Sequence, residues 1–207
     1  MTLAQPLAPG VKELGIALPA SAQDRLLRYL ALLQKWNRVY NLTAVREPHR
    51  MVSEHLLDCL AVTPYIGERT ILDVGSGAGL PGIPLAVALP AARVTVLDSN
   101  HKKAAFLQQA VTELKLPNVT VACERVEDWK PAARFEVVIS RAFSDLGELV
   151  ALAGRHVAAA GCLAAMKGVH PYDEIAQLPS GWKVQRTQPL TVPGLRAQRH
   201  LVLIDPA

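Results

Sequence analysis

Between Thr70 and Gly82 the chain reads Thr-Ile-Leu-Asp-Val-Gly-Ser-Gly-Ala-Gly-Leu-Pro-Gly. An apolar run ends on Asp73 and opens into Gly75, Gly77, Gly79 and Gly82. Sixteen residues after Gly82 a second apolar run, Arg93–Leu97, delivers Asp98. Glycines let a backbone approach a ligand closely, because no Cβ stands in the way. An acid at the end of a second parallel strand accepts hydrogen bonds from ribose hydroxyls. The pair predicts a site for a nucleoside-containing cofactor.

Two ligand classes fit. Gly77-Ala-Gly79-Leu-Pro-Gly82 satisfies the dinucleotide pattern Gly-x-Gly-x-x-Gly. Asp73 followed by Gly75-Ser-Gly77-Ala-Gly79 satisfies the pattern that holds S-adenosylmethionine. A carboxylate at the strand end suits a cationic ligand and opposes a pyrophosphate. Asp73 therefore favours the methyl donor, with its ammonium held by that acid and its ribose by Asp98. A glycine-rich turn that only lets helix and sheet pack is the bland alternative.

Other reactive residues are few. Cys59, Cys123 and Cys162 lie far apart in apolar runs, with no Cys-x-x-Cys or Cys/His cluster. Neither disulfide nor metal is expected, and the cysteines read as buried small hydrophobes. His55 and Asp58, three apart, share a face of an expected helix and can hold one another. Arg141 follows a strand at the edge where ligands gather in such sheets. Its candidate partners are a cofactor carboxylate, a phosphate or carbonyl oxygen of a substrate, or Asp145 in the next turn.

The elements that must position these residues follow from periodicity. Ser21 is the expected N-cap of a first helix ending near Asn37–Asn41, with arginines opposite its leucines. A second helix is expected over Met51–Thr63. Strands are expected at Thr70–Val74, Val94–Leu97, Val119–Ala122, Phe135–Ser140 and Cys162–Met166. Helices alternate with them near Ile83–Leu89, Lys102–Leu114 and Leu146–Val157, and Ala160-Gly161 is read as the turn into the fifth strand. After a short helix near Tyr172–Leu178 come Lys183–Pro189 and His200–Ile204, joined too closely for a crossover helix and hence antiparallel. The predicted fold is α/β, a Rossmann-like class I methyltransferase sheet with an antiparallel last strand. Residues 1–66 form an expected helical cap on a methyltransferase domain at 67–207.

The 207 residues are half apolar and 19% charged, enough for a sizeable core. Met1–Ala20 lacks the apolar run of a signal peptide, and no stretch is long enough to span a membrane. A cytoplasmic protein without membrane or metal partners is expected, and a monomer. Net charge is +4, concentrated in two segments. Residues 24–50 carry six basic side chains against two acids, and residues 181–200 carry Lys183, Arg186, Arg196 and Arg199 with no acid. Two basic segments on one face would suit a polyanion.

The chain resembles the RsmG (GidB) family of bacterial 16S rRNA guanine-N7 methyltransferases over residues 22–204. The matching words are Trp36-Asn37-x-x-x-Asn41-Leu42-Thr43-Ala44-Val45, His55-x-x-Asp58, the loop Ile71–Gly82, Leu97-Asp98-Ser99, Arg125-Val126-Glu127, Ile139-Ser140-Arg141-Ala142, Met166-Lys167-Gly168 and Arg199-His200-Leu201. Cys59 stands where the family often has serine. The resemblance implies S-adenosylmethionine as cofactor and 16S rRNA, free or within the 30S subunit, as partner. It also implies cofactor contacts at Gly75, Leu80, Val126, Glu127 and Arg141. Asn41, His55 and Asp58 would support the pocket. Lys167, Arg196, Arg199 and His200 are favoured for RNA phosphate. Guanine N7 carries a free lone pair, so transfer would need alignment and no general base or catalytic residue of its own. The sequence agrees: Ser140-Arg141-Ala142-Phe143 stands where amine methylators carry an (Asn/Asp)-Pro-Pro-(Tyr/Phe) motif. A methyltransferase of the same fold acting on a small molecule or protein is the alternative.

Overall fold

The computed structural model describes residues 4–143 and 145–207. Its centre is one seven-stranded sheet in the order β3-β2-β1-β4-β5-β7-β6. The strands are β1 (Thr70–Val74), β2 (Arg93–Leu97), β3 (Val119–Ala122), β4 (Phe135–Ser140), β5 (Val157–Lys167), β6 (Trp182–Pro189) and β7 (His200–Pro206). The first five run parallel, and β7 lies antiparallel between β5 and β6. Strand order reverses between β1 and β4, which opens a crevice at their carboxyl ends, the switch point where ligands bind in open α/β sheets.

Both faces of the sheet are covered, so the central strands are almost continuously apolar. Ile71, Val94, Val96, Val137, Ile139 and Ala164 point to one face, whereas Leu72, Val74, Leu97, Val138 and Leu163 point to the other. The first face carries α6 (Gly82–Ala88) and α7 (His101–Leu114), with the N-terminal helices α1 (Ala4–Glu13) and α2 (Ala20–Tyr40) in the same continuous core. The second carries α8 (Leu146–Ala153). Tyr29 of α2, fully buried, donates its hydroxyl to the Ala78 carbonyl at 2.6 Å. The helical segment thereby braces the glycine loop directly.

Four local expectations are corrected. Pro19, not Ser21, caps α2: its extended backbone presents a carbonyl to the Ala22 and Gln23 N–H groups, leaving Ser21 exposed inside the helix. Residues 1–20, in which no element was expected, contain α1, whose Leu7 and Val11 are buried one turn apart. The helix expected over Met51–Thr63 is broken into α3 (Pro48–Met51), a π-helical turn (Val52–Leu57) and α4 (Asp58–Leu60), and α5 (Thr63–Ile66) follows. The helix expected over Leu146–Val157 stops at Ala153 and tightens into a 3₁₀ turn over Gly154–His156.

Ala160-Gly161 is likewise no turn. Both lie inside β5, where the pairing with β4 slips between Phe135↔Val157 and Val137↔Cys162. Gly161 sits at that bulge. A Cβ there would lie 2.7 Å from the Glu136 carbonyl oxygen and 2.8 Å from that of Phe135. Backbone oxygens in a ladder cannot step aside, so Gly161→Ala is expected to cost about 1–3 kcal/mol. Chemical denaturation of the variant checks this, and an unchanged midpoint would contradict the assigned bulge. The last short helix, α9 (Tyr172–Ala176), closes the description.

Candidate active site

The glycine loop is built by its positive backbone angles. Gly75, Gly77 and Gly79 adopt φ of 69°, 57° and 87°, a region that disfavours every residue with a side chain. The Gly75 and Ser76 amides donate to the Leu97 carbonyl at 2.9 and 3.0 Å, tying the loop to the end of β2. Asp98 completes the latch. One of its oxygens accepts the Gly77 N–H at 2.8 Å and the other the Asn100 N–H at 2.9 Å. Asn100 in turn caps α7 by accepting from Lys102 and Lys103. A carboxylate offers about four acceptor positions, so Asp98 keeps capacity for a diol while holding the loop.

Asp73 is fully buried beneath the loop. Its Oδ2 accepts the Gly82 N–H at 2.8 Å, while Oδ1 has no partner. Burial pushes its pKa up to about 7, opposed by the Gly82 hydrogen bond. In the unfolded chain the carboxyl titrates near its ordinary value of about 4. Between those two values the folded state binds more protons than the unfolded one, so stability falls as pH rises through the window. Asp73→Asn is expected to flatten that fall and to raise stability at pH 8 by on the order of 2 kcal/mol. Denaturation across pH 5–8 checks it; parallel wild-type and variant curves would contradict it.

Two pockets open at this edge of the sheet. One, about 360 Å³, is lined by Gly75, Leu97, Asp98, Ser99, Val126, Glu127, Ala142 and Phe143, among others. The other, about 400 Å³, is lined by Thr43, Val45, Glu54, His55, Asp58, Arg141, Met166, Lys167, Gly168 and Arg199. They meet at the loop after β4, where Arg141 faces the second and its neighbour Ala142 the first. Ser140 fixes that loop, donating its hydroxyl to the Val74 carbonyl at 2.7 Å and accepting the Ala142 N–H at 3.0 Å.

Asp58 organises the second pocket. It is buried, with Oδ2 accepting from Arg141 Nη1 at 3.0 Å and Oδ1 from Arg199 Nε at 3.1 Å. Arg141 also donates to the Glu54 carbonyl at 3.1 Å. Arg141 thus pairs with Asp58 and not with Asp145, which caps α8 by accepting the Glu148 N–H. The expected His55–Asp58 pair is absent. The π-helical turn between Val52 and Leu57 breaks the α-helical spacing that would bring positions 55 and 58 together. His55 Nε2 lies 2.9 Å from the Thr43 hydroxyl instead, and burial lowers its pKa to about 4. Asn37 clamps Thr43 through both its amide atoms, at 3.0 and 2.9 Å, and so sets that contact.

The other expected residues fall as follows. Glu127 lies on the first pocket with Arg125 Nε 2.6 Å from its Oε1, and Val126 is buried there. Gly77, Gly79 and Leu80 are not among the residues lining the pocket, and the Leu80 side chain lies in the hydrophobic core. Asn41 is the left-handed C-cap of α2 and accepts from the exposed Arg46. Lys167 pairs with Glu174 at 2.8 Å, His200 places Nδ1 2.9 Å from the Gly168 carbonyl, and Arg196 is exposed. Cys59 and Cys162 are buried, as packed thiols should be, whereas Cys123 is half-buried with its Sγ 3.2 Å from His101 Nδ1, which corrects its reading as buried. Residues missed from sequence are Thr43, Ser99, Lys103 and Phe143. Each lies in or within a few residues of a motif already quoted, without a role having been assigned to it, and Lys103 stands 3.8 Å from Asp98. Among the described residues no cluster could hold a metal ion, and no helix is long and apolar enough to cross a membrane.

A glycine loop latched by a strand-end acid, above an orphaned carboxylate oxygen on this sheet topology, defines the class I methyltransferase fold. Solved structures agree. A glycopeptide N-methyltransferase, MtfA, complexed with S-adenosyl-L-homocysteine matches at TM-score 0.63 and 13% identity, covering 73% of this chain and 90% of that one. An S-adenosylmethionine-dependent methyltransferase from Aquifex aeolicus matches at TM-score 0.61 and 17% identity, covering 79% and 96%.

The chain belongs to the GidB family, rRNA small subunit methyltransferase G, whose model matches residues 22–202. Ribosomal RNA small subunit methyltransferase G of Nitrosospira multiformis is 57% identical, covering 100% of this chain and 99% of the relative. The Laribacter hongkongensis protein of the same name is 54% identical over 98% of each.

Proposed function

We propose that the protein transfers a methyl group from S-adenosylmethionine to N7 of a guanosine in 16S rRNA, in the cytoplasm and without a general base. Family membership supports rRNA methylation, and the paired pockets carry the finer reading. The residues present fit the cofactor: the unpartnered Asp73 Oδ1 suits an ammonium, and Asp98 retains acceptor capacity for ribose hydroxyls. Gly75, Val126 and Glu127 would surround the remainder, with Glu127 facing the donor edge of an adenine. Bound there, S-adenosylmethionine supplies a methyl group made electrophilic by its sulfonium.

The second pocket does the positioning. Arg141, Lys167 and Arg199 line it, a donor set suited to phosphate and to the guanine O6. Its two acids are already committed: Glu54 to Arg50 at 2.6 Å, and Asp58 to Arg141 and Arg199. His55 has one nitrogen against Thr43 and the other buried. No acid or histidine lining the pocket is thus placed to remove a substrate proton. That arrangement suits an sp² nitrogen whose lone pair attacks directly, where orientation carries the rate. The single observation behind this reading is the juxtaposition, at Arg141–Ala142, of a nucleoside-sized cleft and a cationic pocket without a free base.

The test is methyl transfer from labelled S-adenosylmethionine to purified 16S rRNA and to 30S subunits. The RNA is then digested to nucleosides and separated. Label in 7-methylguanosine is expected; label in another nucleoside, or in protein, would refute the assignment.

A further inference from the structure

Past the carboxyl end of β5 the chain leaves the sheet through Gly168–Pro171 and enters α9. Large apolar side chains are unusually open there: Val169 is 71% exposed and Tyr172 is 73% exposed. No residue of α9 is fully buried: Ile175 packs partly buried against the core, while Tyr172 stays open.

The rings are ordered. His170 stacks on Tyr172 with centroids 3.8 Å apart and planes 26° apart. Its other neighbour is His200, met edge-on at 5.4 Å. His200 is anchored at the Gly168 carbonyl and is the register partner of Lys167, which lines the cationic pocket. A column of three rings therefore starts beside that pocket and ends on the open face of Tyr172. His170 Nδ1 is buried without a hydrogen-bond partner.

We propose that Tyr172 and His170 form a stacking shelf for an unpaired base of the RNA, flanking the nucleotide held by Arg141, Lys167 and Arg199. This rests on the rRNA reading above. A flat, exposed aromatic face accepts the face of any base, and single-stranded RNA is recognised chiefly in this way. The neighbouring charges select the occupant. Arg141 and Arg199, which line that pocket, attract a nucleic-acid backbone towards this edge, whereas the exposed Asp173, next to Tyr172, disfavours a phosphate on the shelf itself. A neutral base on the ring with its phosphates over the arginines satisfies both.

The probe is a short single-stranded oligoribonucleotide carrying one 2-aminopurine, titrated with the wild type, Tyr172→Ala and Tyr172→Phe. Wild type and Tyr172→Phe should quench the fluorescence on binding. Tyr172→Ala should lose the quench and bind about 5- to 100-fold more weakly. Its affinity for S-adenosylhomocysteine should be unchanged, showing an intact fold. Equal binding and quenching by Tyr172→Ala would overturn the shelf alone. A Tyr172→Ala defect confined to methylation of 30S subunits, with RNA binding intact, would overturn it in favour of a ribosomal-protein contact. Absence of RNA binding by the wild type would overturn both the shelf and the rRNA reading.

Discussion

Replacing Asp98 by alanine is expected to weaken S-adenosylhomocysteine binding by roughly 100- to 1,000-fold, the cost of about two charge-assisted hydrogen bonds. The proposed ribose contacts are only half of the effect. The same carboxylate accepts the Gly77 and Asn100 amides, so its loss frees the glycine loop and the start of α7 together. Each stranded amide adds about 1 kcal/mol or more. Asp98→Asn separates the two roles. Its single carbonyl oxygen can accept from only one side of the latch, so it should fall between alanine and wild type. Isothermal titration of the three proteins decides it, and alanine affinity within threefold of wild type would contradict the assignment.

Removing Asp58 should produce the largest loss of stability. Asp58 is 3% exposed, its carboxylate lies 3.0 Å from Arg141 and 3.1 Å from Arg199, and it joins helix α4 to the turn after β4 and the segment before β7. Burial raises its pKa even against both arginines, so its charge is held at a desolvation cost. Asp58→Ala leaves two guanidinium groups facing one another with no counter-ion. Breaking a buried pair by deleting one partner costs about 3–5 kcal/mol, a fall of roughly 10 °C in melting temperature for a chain of this size. Below that melting point S-adenosylhomocysteine should still bind, because Asp58 does not line the first pocket. Methylation of rRNA should be lost, since Arg141 and Arg199 lose the group that aims them. Thermal melts, titrations and transfer assays on one preparation check all three. A variant that melts like wild type, or that methylates normally, would contradict the positioning role.

What was legible in the sequence was what is local. Strand, glycines and strand-end acid are contiguous from Thr70 to Gly82, and Asp98 closes the next strand. The place of that loop in the sheet and the cofactor class could therefore be read from residue types and spacing. The antiparallel close of the sheet was legible too, because Leu190–Arg199 is too short to hold a crossover. What escaped were contacts set by distant chain. Arg141 has an acid four residues away, yet it bonds to Asp58, because the turn after β4 packs against the broken helix near residue 58. His55 and Asp58 have α-helical spacing, but a π-helical turn intervenes and no propensity marks it. Pro6 and Pro9 disguised α1, although Leu7 and Val11 already stood at helical spacing. Gly161 looked like a turn signal and proved to be a bulge, where strand backbones crowd each other.

The most direct measurement is a crystal structure with S-adenosylhomocysteine. Both ribose hydroxyls should lie within hydrogen-bonding distance of the Asp98 carboxylate. The sulfur should face the pocket of Arg141, Lys167 and Arg199. Ligand density elsewhere on the molecule, or a ribose that does not touch Asp98, would contradict the account.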